Sequence, residues 1–424
     1  MYLIIPLFTV IINKEFKFGG KKMILSKNLE GVHSDIRGDL YIHALELEKQ
    51  GTKILKLNTG NPAAFGFKMP ESIKNRITAD VEKALGYCDI RGVESARVAI
   101  KNYHLSRGIK NVTENDIFIG NGVSEAAYMI ITALIGPGDE VLVPSPCYSL
   151  WTNLTHLAGG KARFYTCDEK NGWQPDTDSI KKAVTSRTKA IVLINPNNPT
   201  GVIYSKEILL EIIDIARKNN LVIISDEIYD RLVLDDNIHI PTGSLADNVT
   251  VVTMNGLSKS HCICGLRCGW LCISGPEKEK EILRDALVNI ASVRLCSNAL
   301  MQLVIPDALK DSAYTENMIN KNGRLPRQRD AVTKELDKIE GISYVKNSAA
   351  FYIFPKLDLK RHGFESDKEF AKKLLEEKHV LIIPGSGFSC VDKSHFRIVM
   401  LPEENELRNA VRSIGELLYD QNNK

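Results

Sequence analysis

The chain has 424 residues, of which 44% are hydrophobic and 25% charged, and 55 basic against 52 acidic side chains leave a formal net charge of +3. That length exceeds the roughly 250 to 300 residues at which a single core stops growing, so two domains are expected, and the balanced charge excludes a dedicated nucleic-acid binder. Nine cysteines without the spacing of a small disulfide scaffold fit a reducing, cytoplasmic compartment, where the N-x-T sequons at Asn111, Asn153 and Asn248 carry no meaning.

The apolar run from Tyr2 to Ile12 is too short to span a bilayer and lacks the flanks of a signal peptide. No membrane attachment is expected. Residues 1–22 read as a non-native or disordered extension, with Met23 as the biological start, because Gly19-Gly20-Lys21-Lys22 could be the translation of a ribosome-binding site. An intact Met1 in the native protein would remove that idea.

Residues 23–57 read as an N-terminal arm and part of a small, discontinuous domain. Within them Leu40, Ala44, Leu45 and Leu47 recur at helical spacing until Gly51, and Lys53 to Leu57 predicts a short strand before the turn Asn58-Thr59-Gly60-Asn61-Pro62. A large domain over 58–310 follows as an alternation. Its helices are expected at Ser95 to Gly108, Ala126 to Leu134, Ser149 to Leu157, Ile180 to Val184 and Lys206 to Asn219. Its strands are expected at Asp116 to Ile119, Glu140 to Val143, Lys161 to Tyr165, Ala190 to Ile194, Leu221 to Ser225 and Val249 to Met254. Such alternation predicts an α/β fold, a mostly parallel sheet covered by helices on both faces. A long helical stretch is expected from Pro276 through Leu309. Residues 311–424 then read as a smaller α+β domain: a helix from Arg324 to Ile339, strands near Ser343 to Val345, Ala350 to Phe354, Val380 to Ile383 and Phe396 to Val399, a helix from Asp367 to Lys378 and a last helix.

Ligands in open α/β sheets bind beyond the carboxyl ends of the strands. Gly122-Val123-Ser124 stands there, between a strand and a helix, where free N–H groups make a phosphate cup; the same residues also read as an ordinary helix cap, with Ser124 as the capping residue. Asn195-Pro196-Asn197-Asn198-Pro199-Thr200-Gly201 is a rigid turn, with room for a cis bond, that holds the Asn198 amide or simply turns the chain. Asp226 is either an N-cap or a buried carboxylate that needs a cation such as a protonated pyridine, with Tyr229 one turn on. Tyr148 is either a ring stacked on a flat heteroaromatic ligand or a core tyrosine. Lys259, on the loop Gly256-Leu257-Ser258-Lys259, is either a surface lysine of an ordinary loop or one that forms an imine with a carbonyl cofactor whose phosphate meets Arg267. Cys262, Cys264, Cys268 and Cys272 invite a zinc reading, but their spacing is not that of paired knuckles, so no metal is expected.

Taken as a set, Asn195 to Gly201, Asp226 with Tyr229, and Ser258-Lys259 with Arg267 resemble the motifs of the fold-type I, class I pyridoxal-phosphate aminotransferases. The resemblance runs from about Asp35 to the C-terminal helix. Asp35-Ile36-Arg37-Gly38, Leu57 to Pro62, Gly86-Tyr87-Cys88-Asp89, Asn255 to Lys259 and Phe396-Arg397-Ile398-Val399 look most like the bacterial alanine aminotransferases. It implies pyridoxal 5'-phosphate held by Lys259 as an internal aldimine, Asp226 on the ring nitrogen, Tyr229 and Asn198 on the phenolic oxygen, and Tyr148 stacked on the ring. Gly122, Val123, Ser124, Ser258 and Arg267 would hold the phosphate, and Tyr87 would reach the phosphate of the neighbouring subunit in a homodimer. Arg397 would clamp the substrate carboxylate, with Gly60 and Asn198 beside it. The activity implied is a ping-pong exchange of an amino group between L-alanine and 2-oxoglutarate. Alternatives are a class I aminotransferase for branched, aromatic or methionine-like amino acids, a lyase on the same fold, and a ligand-sensing regulator, which the lack of a DNA-binding module disfavours. Many relatives carry a serine where this chain has Gly256, and His261 has no role that the sequence assigns.

Overall fold

A computed structural model describes residues 25–422 and, before them, only the backbone pairing of Lys17–Phe18 with Lys21–Lys22; the expectation for residues 1–22 otherwise lies outside the described residues. An eight-stranded sheet carries the site. Its strands are β1 (Ile117–Gly120), β2 (Glu140–Ser145), β3 (Lys161–Asp168), β4 (Gln174–Pro175), β5 (Thr188–Ile194), β6 (Val222–Asp226), β7 (Val251–Gly256) and β8 (Gly269–Ser274), in the spatial order β1-β8-β7-β6-β5-β2-β3-β4. The run β7-β6-β5-β2-β3 is parallel. β8 runs antiparallel to both β7 and β1, and β4 antiparallel to β3.

The strands read as continuous apolar runs because both faces are covered. Ile191 and Leu193 enter one core with Leu209, Ile212 and Ala216 of the helix Lys206–Lys218. Ala190, Val192 and Ile194, one residue out of phase, enter the opposite core with Ala126, Met129 and Ile130 of the helix Val123–Leu134. Side chains alternate across a strand, so one sequence run feeds two cores.

The C-terminal part builds a third core from Val332, Leu336, Phe370, Leu374, Val411 and Ile414. The N-terminal part joins it: Leu55–Lys56 pairs in parallel with Val380–Leu381, and Ala44 of the helix Asp39–Lys49 packs with Leu375 and Leu381. Three short strands, Tyr352–Ile353, Phe396–Val399 and Ile383–Pro384, form a sheet in that order.

Three expectations are corrected. The stretch from Pro276 to Leu309 is not one helix: Glu277–Arg294 ends where Leu295 turns to φ +66°, and Asn298 caps a new helix, Ala299–Leu303, by accepting from the Met301 N–H. The helix placed at Ala126 starts at Val123, and its N-cap is Gly122 at φ +81°, so Ser124 lies inside the first turn and is not the cap. The strand expected over Ala350 to Phe354 is confined to Tyr352–Ile353, because Ala350 takes φ +58°. The helix Glu71–Asp80 was not read from the sequence; its mean hydropathy is low and it buries only Ile73 and Asp80.

Candidate active site

The parallel strands all end at one edge, and the groups named from the sequence gather there. β6 delivers Asp226, β5 leads into Asn195, β7 into the short helix Leu257–Ser260 with Lys259, and β2 into Pro146 to Tyr148. β8 begins there, two residues after Arg267. Peptide bonds Ser145–Pro146, Asn195–Pro196 and Asn198–Pro199 are cis.

Glycines clear the space. Across three neighbouring strands Gly120 pairs with Gly269 and Gly269 with Gly256. A Cβ on Gly269 would overlap the backbone N of Val123, and one on Gly256 would lie 2.6 Å from the Cys268 carbonyl oxygen. The serine that many relatives carry at the position of Gly256 therefore has no room in this packing. A Cβ on Gly122 would sit on the Arg267 guanidinium, which donates to the carbonyls of Cys264 at 2.7 Å and Asn121 at 3.4 Å. Arg267 itself is held at φ +56°, a region few non-glycine residues enter. Its charge thus faces the start of the helix Val123–Leu134, whose first N–H groups have no acceptor within the helix. Ser124 lies exposed there and Ser258 is buried in the lysine helix.

Lys259 is half-buried, and its Nζ donates to the Gly60 carbonyl at 2.8 Å. Asp226 is buried; burial raises its pKa to about 6, against the pull of the Ile228 N–H and the Lys259 charge. Tyr229 is buried, and its hydroxyl lies 2.7 Å from that of Tyr352. The groups facing it are Tyr352, Arg397 and Asp226, and those facing the half-buried Tyr148 are Tyr352, Arg397, Asp226 and Arg37. Burial raises both phenols, so both are neutral donors at ordinary pH.

Arg397 is 1% exposed, between the rings of Tyr352 and Phe388 at 4.5 and 4.6 Å. Its Nη1 donates to Asn198 Oδ1 at 2.8 Å and its Nη2 to the Asn58 carbonyl, while its Nε has no partner among the described residues. Among the described residues the groups facing it are phenols, Tyr352, Tyr229 and Tyr148, with no carboxylate. A buried cation without a counter-charge costs several kcal/mol. Five N–H donors, two of them used, leave a fork for a planar anion.

Tyr87, by contrast, stands 85% exposed and is not among the groups facing these residues. Gly60 is buried against Phe351 and the Tyr352 hydroxyl, so a side chain there would strike those rings. Sequence reasoning missed Tyr352, Asn58 and Phe388. Tyr352 sits opposite Val399, on the same sheet face as Arg397 two residues earlier, but only the strand pairing reveals that. His261 finds a structural role: its Nε2–H donates to the Ala308 carbonyl at 2.8 Å, its Nδ1 meets the Ser260 hydroxyl, and burial lowers its pKa to about 4. The four clustered cysteines diverge, Cys264 toward Asn61, Cys268 toward the Met301 carbonyl, Cys262 toward Met318, and Cys272 into the sheet.

A lysine, a buried carboxylate, paired phenols and an arginine at a helix N-terminus, all beyond the carboxyl edge of an α/β sheet, define the class. Residues 52–414 match the model of the aminotransferase class I and II family, and the chain belongs to that family. It is an aminotransferase of fold type I, acting on amino and 2-oxo acids, and its cofactor is pyridoxal 5'-phosphate. The chain is 46% identical over 395 residues to a glutamate-pyruvate aminotransferase AlaA of Haemophilus influenzae, covering 93% of this chain and 98% of that one. It is 42% identical over 394 residues to an alanine aminotransferase of Mycobacterium tuberculosis, covering 93% and 92%. An Escherichia coli aminotransferase of known structure superposes with a TM-score of 0.91 at 42% identity over 94% of this chain and 98% of that one. The alanine aminotransferase of Pyrococcus furiosus superposes at 0.90 and 38% identity, over 94% and 100%. Among the described residues no helix is long and apolar enough to cross a membrane.

Proposed function

We propose that the chain transfers the amino group between L-alanine and 2-oxoglutarate, giving pyruvate and L-glutamate in two half-reactions. The near-complete overlap with one relative named for glutamate and pyruvate and another named for alanine supports the substrate pair. The observation that carries the reading on the structural side is the buried Arg397 fork with no carboxylate of its own.

The residues fit the cofactor: the Gly122 cradle, Arg267 and the helix N-terminus suit a phosphate, and the buried Asp226 suits a cationic ring nitrogen. When bound, pyridoxal phosphate supplies a carbonyl carbon that takes up the amino group and a ring that spreads negative charge. Lys259 holds the cofactor at rest and, once released, moves the proton to and from the substrate Cα. Asp226 holds the proton on the ring nitrogen, Tyr229 and Asn198 donate to the phenolic oxygen, and Tyr148 covers the ring face. Gly122, Val123, Ser124, Ser258 and Arg267 hold the phosphate. Arg397 grips the substrate carboxylate in two parallel hydrogen bonds, oriented by Asn198 and the Asn58 carbonyl, next to Gly60.

The same reading makes the active unit a cytoplasmic homodimer in which the exposed Tyr87 reaches the neighbouring site. It divides the chain into a large domain over 58–310 and a small one over 311–424 that recruits residues 23–57, a division supported by the pairing of Leu55–Lys56 with Val380–Leu381. The test is the visible spectrum of the loaded protein before and after L-alanine, with no keto acid present. Loss of the visible band with stoichiometric pyruvate is expected. A band that persists excludes alanine as donor, and a protein that takes up no pyridoxal phosphate removes the site assignments.

A further inference from the structure

Tyr352 touches both halves of the site. Its hydroxyl lies 2.7 Å from the Tyr229 hydroxyl, and both side chains are buried. Its ring lies under the Arg397 guanidinium, 4.5 Å away, and meets Tyr229 and Phe351 edge-on. The same hydroxyl abuts Gly60, whose carbonyl accepts from Lys259 Nζ and whose missing side chain leaves the phenol its place.

Two phenols joined by one hydrogen bond share one donated proton, so the bond has a direction. A hydroxyl has a single hydrogen. If Tyr229 spends its hydrogen on a ligand oxygen, its own oxygen can only accept, and Tyr352 must be the donor. Arg397 packs against the face of the Tyr352 ring, which holds the ring, and with it the hydroxyl, in place.

We infer that Tyr352 is a positioning residue: it donates to the Tyr229 oxygen, points the Tyr229 proton at the phenolic oxygen of the cofactor, and strengthens that donation through the chain of two hydrogen bonds. Linked hydrogen bonds polarise one another, so deleting the first weakens the second. The inference rests on Tyr229 facing that oxygen, as proposed above. The charged and titratable groups around the pair are Arg397, Asp226 and Tyr148, with Lys259 held at the Gly60 carbonyl beside it, and the Tyr352→Phe change leaves each of these residues in the chain.

Tyr352→Phe tests this, since it keeps the ring on which Arg397 and Phe351 pack. The readout is the visible absorption of the protein loaded with pyridoxal phosphate, titrated across neutral pH without substrate. A weaker donor on the phenolic oxygen raises the pH midpoint of the band change, by about half a pH unit in Tyr352→Phe and by more in Tyr229→Phe. Because Tyr352 acts through Tyr229, the double variant matches Tyr229→Phe alone. A Tyr352→Phe midpoint equal to wild type overturns the inference, as does a shift that persists in full in the Tyr229→Phe background. If the Tyr229→Phe midpoint equals wild type, the placement of Tyr229 falls, and the inference with it.

Discussion

The cofactor side and the substrate side of the site are assembled in opposite ways. Asp226, Asn195 to Asn198, Lys259 and the start of the helix Val123–Leu134 each lie at the end of a sheet strand or within a few residues of it, so the sheet places them. Arg397 depends on contacts from far away: Asn198 lies 199 residues before it and Asn58 339 residues before it, with Tyr352 from a third segment. Rigid strand ends carry the backbone of these charge-bearing groups to one edge of the sheet. The carboxylate clamp exists only once the N- and C-terminal segments have met.

The largest effect should come from the group on which the two sides converge. Lys259→Ala is expected to cut turnover by at least about a thousandfold, the scale of a lost proton-transfer group, with the circular-dichroism spectrum unchanged. Near-normal transamination would break the comparison at its centre. Arg397→Lys comes next and probes the substrate side alone. Losing one charge-assisted hydrogen bond of the fork should raise KM for the amino acid about 10- to 100-fold, with cofactor affinity unaltered. A change in cofactor affinity of the same size would mean that the two sides are one unit.

Gly122→Ala probes the other side. An alanine at φ +81° is strained by roughly 1 kcal/mol or more, and its methyl displaces the Arg267 guanidinium. Cofactor affinity should fall about tenfold, measured by equilibrium dialysis. KM for alanine at saturating cofactor should stay within about twofold, and a larger rise would erase the distinction.

This asymmetry also explains what could be read before the fold was known. The strands β5, β6 and β7 declare themselves as Val- and Ile-rich runs closed by Asn195, Asp226 and Lys259, because local chemistry and position coincide there. Tyr352 sits in an aromatic stretch that reads as core, and its pairing opposite Val399 carries no local signal. The Asn58 contribution is a backbone carbonyl, invisible in any side-chain pattern. Gly256 looked like a departure, yet the nearby Cys268 carbonyl demands it, a constraint set by the antiparallel partner β8. The break at Leu295 was missed because positive φ at a leucine runs against its preference, and only the surrounding packing enforces it.

The smallest effect belongs to neither side of the site but to the buried layer beneath it. Glu227 follows Asp226 and accepts from the Ser225 hydroxyl at 2.8 Å and the Thr242 N–H at 3.0 Å. Burial, more than the nearby Asp230, pushes its pKa up to about 8, well above the usual carboxylate range near 4.5. Between those two values the folded state holds a proton that the unfolded state releases, so stability falls as pH rises. Below 6.5 the trend is masked: burial lowers His104, His239 and His261 to about 4, so the folded state binds fewer protons there and stability rises with pH. Asp226 adds to the Glu227 trend only up to about 6. His156, lowered by burial, and the buried Cys147, Cys167, Cys268 and Cys272, raised by burial above their ordinary 9, tilt the same window with or without Glu227, so Glu227 shows as a difference in slope of up to about 1.4 kcal/mol per pH unit between about pH 6.5 and about 8. Glu227→Gln keeps an acceptor for Ser225 and Thr242 and removes the titration. In denaturant unfolding of the cofactor-free protein, stability should fall more steeply, or rise less, with pH across that window in the wild type than in the variant, with alanine KM unchanged. Equal slopes in the two proteins would place the buried proton on another group.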